Sequence, residues 1–153
     1  MGSPEPLLPG ARKPGVVIDA SILLKLLLPE KQSEAVRRLW GRWVEQETEI
    51  VAPFLLAYEV VSVLRNKVFR KELPPEAGEA AFVAFRSQDV SLLHPDGIEE
   101  KAWELAKRWN LPTGYDAAYL ALAEILDYEM WTADNRLAAA LRRKVSRLHV
   151  IAE

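Results

Sequence analysis

The sequence predicts an α/β fold in which five short strands form a largely parallel sheet covered by helices on both faces. Three observations predict it. Five apolar stretches, "GVVID", "EIVA", "VSLLH", "YEMWTA" and "LHVI", have the length and residue types of strands. Segments of helical periodicity separate them, the arrangement expected of parallel strands joined by crossovers. The 153 residues, 50% hydrophobic and 27% charged, suit one domain with its own core.

Residues 1–14 are rich in Pro and Gly and are expected to form a flexible arm, with the domain running over 15–153. The arm has no long apolar stretch, so it does not read as a secretory signal. Pro14-Gly15 introduces the first strand. A helix is expected from Ala20 to Leu28, ended by Pro29. In "KQSEAVRRLWGRWVEQE", Ala35, Val36, Leu39, Trp40 and Trp43 share one helical face. Pro53 suits the first turn of the long helix "PFLLAYEVVSVLRNKVFRK", and prolines also begin the helix "PPEAGEAAFVAFRS". After the third strand, "PDGIEEKAWELAKRWN" reads as a helix stopped before Pro112. "TGYDAAYLALAE" opens the next, through about Leu126, and "NRLAAALRRK" is a short helix between the last two strands.

Composition narrows the chemistry. The chain has no Cys, which excludes disulfides and thiolate metal sites and fits a cytoplasmic protein. With only His94 and His149, a multi-histidine zinc site is not expected. A bound metal would have oxygen ligands, favouring Mg²⁺ or Mn²⁺. The apolar run Ile22 to Leu28 is broken by Lys25 and too short to span a bilayer, so no membrane role is expected. A net charge of −2 gives no overall nucleic-acid signature. Locally, "NRLAAALRRKVSR" gathers Arg136, Arg142, Arg143, Lys144 and Arg147, a basic stretch that could contact RNA phosphates or simply solvate a terminal helix.

Four acids fall where a parallel sheet places ligands, beyond the carboxyl ends of its strands. Asp19 closes "GVVID" and Asp134 lies just past the fourth strand. Asp116 sits in the first turn of a helix, and Glu59 about two turns into the helix after "EIVA". Asp19 and Asp134 could equally be N-caps, and Thr113 with Asp116 could form a capping box. Capping does not explain Glu59, which stands on a mostly apolar face where an unpaired carboxylate costs several kcal/mol. A salt bridge to Arg65 or to a neighbouring helix would be the dull account of it. Carboxylates gathered at one edge repel, and a divalent cation relieves them while polarising a phosphoryl oxygen and activating water. This points to metal-assisted phosphodiester hydrolysis. No G-x-x-x-x-G-K-[ST], G-x-G-x-x-G or G-x-S-x-G motif competes. An aspartyl-nucleophile phosphatase would need an acid where Ser21 stands.

"VIDASILLKLLLPE", "AYEVVSVL", "YDAAYLALAE" and "WTADNRL", in this order, resemble the PIN-domain family, and most closely its single-domain VapC-type toxin ribonucleases. The resemblance runs from about Gly15 to the end and implies a PIN-like three-layer α/β/α domain. It implies a catalytic, metal-binding quartet at Asp19, Glu59, Asp116 and Asp134, with Ser21 and Thr132 as supporting polar residues. It also implies a Mg²⁺- or Mn²⁺-dependent RNase that is homodimeric and inhibited by a small antitoxin protein. The other reading is a non-catalytic PIN-like module that binds RNA or a partner protein. Trp40, Trp43, Trp103 and Trp109 could stack bases, but their amphipathic settings favour packing. His94 and His149 read as structural. "ILLKLLL" reads as a helix packed on the sheet, with docking of an antitoxin helix as the alternative.

Overall fold

β1 (Gly15–Ile18) is the middle strand, and its apolar "VVI" is buried because helices cover both of its faces. The computed structural model describes residues 14–141 and 143–151. After β1 come α1 (Ala20–Leu27), α2 (Ser33–Glu45), β2 (Glu49–Pro53), α3 (Leu55–Phe69), α4 (Pro75–Ser87) and β3 (Ser91–Leu93). The chain continues through α5 (Ile98–Arg108), α6 (Gly114–Leu126), β4 (Glu129–Thr132), α7 (Asn135–Leu141) and β5 (Leu148–Val150). The expected arm lies outside the described residues except for Pro14. The Pro14 carbonyl accepts the Glu49 N–H at 2.8 Å, so this residue is already tied to the sheet.

The sheet order is β3-β2-β1-β4-β5, and all four pairings are parallel. Every strand therefore ends at the same edge. The chain winds outward from β1 to β3, then returns through α5 and α6 to β4 on the other side of β1. α1 to α4 pack together on one layer, while α5 and α6 pair with each other and cover β1, β2 and β4, giving three layers. The reversal of strand order between β1 and β4 creates a crevice at their carboxyl ends. Beneath it Val17, Ile18, Ile22, Leu23, Val51, Leu56, Leu122 and Met130 are fully buried.

Elements fall where the residue patterns put them, with differences at boundaries. Pro53 is the last residue of β2, paired with Leu93, and does not lie in the first turn of α3. It lies beyond Val51, the last β2 residue paired with β1, so its missing N–H costs no bond to that strand. α1 ends at Leu27 because Leu28 is extended while its N–H still reaches the Leu24 carbonyl. α7 ends at Leu141, short of the expected Lys144, so Arg143 and Lys144 lie in the turn beyond it.

Trp40 and Trp43 are 8% and 7% exposed, and Trp43 meets Trp131 edge-on at 6.1 Å. Packing is their role. Trp109 packs at the margin of the core, but Trp103, at 69% exposed, does not join it. α1 buries Ala20, Ile22, Leu23 and Leu24, so "ILLKLLL" is a core helix. Among the described residues no helix is long and apolar enough to cross a membrane.

Gly15 shows how closely the sheet is dressed. A Cβ there would stand 2.2 Å from ring atoms of Tyr128, whose hydroxyl donates to Glu49 Oε2 at 2.8 Å. Gly15→Ala should therefore cost about 1–3 kcal/mol through overpacking. The cost should vanish when the ring is removed. Urea melts of Gly15→Ala alone and combined with Tyr128→Ala measure this, and additive losses would contradict it.

Candidate active site

Asp19 follows β1 directly and is 7% exposed. It caps α1, its Oδ1 accepting the Ile22 N–H at 3.3 Å. Ser21 Oγ donates to Oδ1 at 2.5 Å, and Thr132 Oγ1 donates to Oδ2 at 2.5 Å. The turn after β4 feeds both hydroxyls, the Ala133 N–H reaching Ser21 Oγ at 2.8 Å and the Asp134 N–H reaching Thr132 Oγ1 at 3.0 Å. Each hydroxyl accepts from the backbone and turns its own proton towards Asp19. Burial still dominates and pushes the Asp19 carboxyl up to about 6, against the lowering by these hydrogen bonds and with a further rise from Asp134.

Asp134 is the cap of α7, its Oδ1 accepting the N–H groups of Arg136 at 2.9 Å and Leu137 at 3.3 Å. Capping therefore accounts for part of what Asp19 and Asp134 do. It does not account for Asp116. Thr113 precedes α6 without any side-chain cap bond, so the capping box does not form. Asp116 instead meets Arg136, whose guanidinium lies 3.5 Å from Asp116 Oδ2 and 3.6 Å from Asp134 Oδ2. Burial raises the Asp116 carboxyl, Arg136 lowers it and Asp134 raises it further.

Glu59 reaches in from α3, half-buried, and accepts the Tyr119 hydroxyl at 3.0 Å. No pairing with Arg65 forms. Burial raises the Glu59 carboxyl, the Tyr119 bond lowers it, and Asp116 and Asp134 raise it. Asp134 thus acts on each of the other three acids, and Asp116 acts on Glu59. Among the described residues, however, no three Asp, Glu or His side chains stand as a ready cage for an ion. Every buried side-chain N or O atom among them has a hydrogen-bond partner.

Tyr119 escaped the sequence reading. It is 2% exposed, and burial together with the Glu59 charge raises its hydroxyl far above the usual phenol range. The available signal was its spacing, one helical turn after Asp116 on α6. His94 and His149 pair with Glu99 and Glu129, each at 2.8 Å, and stack on Phe54 and Trp131. Neither contacts the four acids. Arg136 is at the site, Arg143 and Lys144 are exposed, and Arg142 lies outside the described residues. Beside Asp116, a cleft of about 790 Å³ is lined by residues including Phe54, His94, Trp103, Leu111 and Tyr115. It contains none of the acids, so its size does not mark the chemistry.

The raised Asp19 carboxyl has a consequence for stability without metal. The unfolded chain releases this proton near 3.8 and the folded protein holds it to about 6. Between those values the native state binds more protons, so stability falls as pH rises through the window and levels off above it. Glu59 and Asp116 shift in the same direction. The unfolding free energy from urea melts in EDTA should fall between pH 4.5 and 6.5, with Asp19 contributing about 2 kcal/mol of the loss. A flat or rising profile would contradict the cost of holding these acids charged in a partly buried site.

Comparison with known proteins agrees with this fold. The PIN domain family model matches residues 16–142. Ribonuclease VapC1 of Mycobacterium tuberculosis is 37% identical over 125 residues, covering 81% of this chain and 89% of the relative. Ribonuclease VapC3 of Pyrobaculum aerophilum is 32% identical over 127 residues, covering 80% and 92%. Among solved structures, M. tuberculosis VapC20, a Sarcin-Ricin loop cleaving toxin, superposes with a TM-score of 0.63 at 19% identity, over 82% of this chain and 95% of that one. A toxin–antitoxin complex from Klebsiella pneumoniae gives a TM-score of 0.60 at 16% identity, covering 90% and 98%. With the family model spanning most of the chain, and VapC ribonucleases more than 30% identical across it, the protein belongs to the PIN-domain family and is closely related to the VapC-type toxin ribonucleases.

Proposed function

We propose that this protein is a Mg²⁺- or Mn²⁺-dependent endoribonuclease and the toxin of a toxin–antitoxin pair. The observation that carries the reading is the electrostatic coupling of Asp19, Glu59, Asp116 and Asp134 at the crevice between β1 and β4. Stability alone gives no reason to hold repelling carboxylates at partly buried positions. The donor set fits a hard cation, since the acids and hydroxyls there all offer oxygen. Mg²⁺ keeps most of its waters and needs one or two direct carboxylates, so a ready cage of three is not required.

On this reading Asp19, Glu59, Asp116 and Asp134 would hold the ion, directly or through water. The ion supplies polarisation of a phosphoryl oxygen and a water acidic enough to attack near neutral pH. Ser21 and Thr132 hold both oxygens of Asp19 in one orientation. Tyr119 orients Glu59 from within the core. Arg136 brings positive charge to the edge where an RNA phosphate would approach, and exposed Arg143 and Lys144, with Arg142, would extend it. The VapC relatives support RNA as substrate, and the Klebsiella complex supports an antitoxin partner. Homodimerisation and a cytoplasmic setting belong to the same reading, as do an arm over residues 1–14 and a nuclease domain over 15–153.

The absence of a ready cage favours one other reading, a non-catalytic PIN-like module that binds RNA or a protein. Incubating the purified chain with defined RNAs under Mg²⁺, Mn²⁺ or EDTA decides between them. Metal-dependent cleavage is expected, and its absence across all three conditions would favour the binding module.

Two variants test the residues. Asp116→Asn removes a charge that both repels Asp134 and pairs with exposed Arg136, and each effect is on the order of 1 kcal/mol or less. The melting temperature should hardly change, while cleavage falls at least about 100-fold. Full activity would leave Asp116 outside the chemistry. Tyr119→Phe keeps the ring in the core but takes the hydroxyl from Glu59. It should lower metal affinity or cleavage by about 10- to 100-fold, as loss of a ligand's supporting hydrogen bond typically does. Unchanged Mn²⁺ affinity and turnover would make that hydrogen bond purely structural.

A further inference from the structure

Among the described residues, Arg136 is the one cation that shifts any of Asp19, Glu59 and Asp116, lowering Asp116. Its guanidinium spans Asp116 Oδ2 at 3.5 Å and Asp134 Oδ2 at 3.6 Å. These are oxygens that a divalent cation would also need. Its side chain is 73% exposed, so charge and not packing holds it there. Its main chain is held separately, because the Arg136 N–H donates to Asp134 Oδ1 at 2.9 Å. The guanidinium can therefore leave the carboxylates while its backbone stays at the crevice.

We propose that Arg136 is the resident counter-ion of the metal-free site and couples entry of a divalent cation to binding of an RNA phosphate. The inference rests on the nuclease reading above and goes beyond it, since a fixed RNA-binding arginine would repel the cation equally with and without RNA. Exposed ion pairs are weak, so an incoming divalent cation displaces the guanidinium at little cost. Once displaced, the planar fork stands free at the crevice and matches the geometry of a phosphodiester. The exchange also runs in reverse. A phosphate that draws Arg136 away leaves two carboxylates unneutralised and raises their affinity for the cation. By linkage, each ligand then strengthens the other to the same extent. In the metal-free, RNA-free protein Arg136 partly neutralises two of the acids, and the site is completed when cation and RNA are both present.

The test is calorimetric titration of the full chain with Mn²⁺ alone, for wild type, Arg136→Gln and Lys107→Gln. Lys107 is an exposed cation on α5, and its replacement reports the effect of losing one positive charge away from the acids. Each titration is repeated with a short 2′-O-methyl RNA oligonucleotide present. Without oligonucleotide, Arg136→Gln should bind Mn²⁺ about fivefold more tightly than wild type, and Lys107→Gln within about twofold. The oligonucleotide should tighten Mn²⁺ binding to wild type and to Lys107→Gln, but not to Arg136→Gln. The proposal is overturned if Arg136→Gln gains no more affinity than Lys107→Gln, or if the oligonucleotide acts equally on all three. A wild type that takes no Mn²⁺, with or without oligonucleotide, would overturn the metal-dependent reading itself. That failure is visible in wild type alone.

Discussion

Thr132 and Asp19 stand 113 positions apart in the chain, yet the hydroxyl of one lies 2.5 Å from a carboxylate oxygen of the other. Only the parallel pairing of β1 with β4, in which Ile18 faces Trp131, brings them together. The remainder of the site is arranged around that contact. The turn after β4 supplies backbone N–H groups to the two hydroxyls and then places Asp134 as the cap of α7. α6 sets Asp116 within reach of Arg136, and Tyr119 on the same helix steadies Glu59 from α3. A sheet order without β1 beside β4 would scatter these groups, however well each helix formed.

The protein accepts local repulsion here because the core is ample elsewhere. β1, α1 and α6 are anchored by fully buried Val17, Ile22, Ala117 and Leu122 beneath the crevice, so the acids need not hold the fold. The carboxylates are offset by hydroxyls, by the N-termini of α1 and α7, and by one guanidinium. That division leaves the site strained electrostatically and the scaffold secure.

Much of this was legible from residue order. Buried parallel strands read as short apolar runs, and "GVVI" and "EMWT" sit where such runs predict. The acids were legible because topology puts strand ends at one edge, so an Asp after a strand is placed before any packing is known. Other features depend on contacts that sequence does not carry. Tyr119 looks like one more apolar residue of α6 until Glu59 is seen beside its hydroxyl. Thr113 and Asp116 have capping-box spacing, but Arg136, twenty residues later, provides Asp116 with its partner. Trp103 shares an amphipathic helix with buried Ala102 and Leu105, yet it projects from the uncovered side. Pro53 fits a helix start by type, and it ends β2 because Leu93 pairs with it.

The hydroxyl pair around Asp19 also acts as a chemical filter on what can occupy that position. Each hydroxyl donates to a different oxygen of Asp19, so both of those atoms must be acceptors. A carboxylate satisfies the pair symmetrically, whereas an amide offers one acceptor and turns an N–H against a hydroxyl that is already donating. Asparagine at position 19 would therefore be a steric twin and a hydrogen-bonding misfit, whereas at half-buried position 116 it is chiefly a lost charge. The same one-atom change has two meanings within a single site, and the direction of two O–H bonds decides which applies.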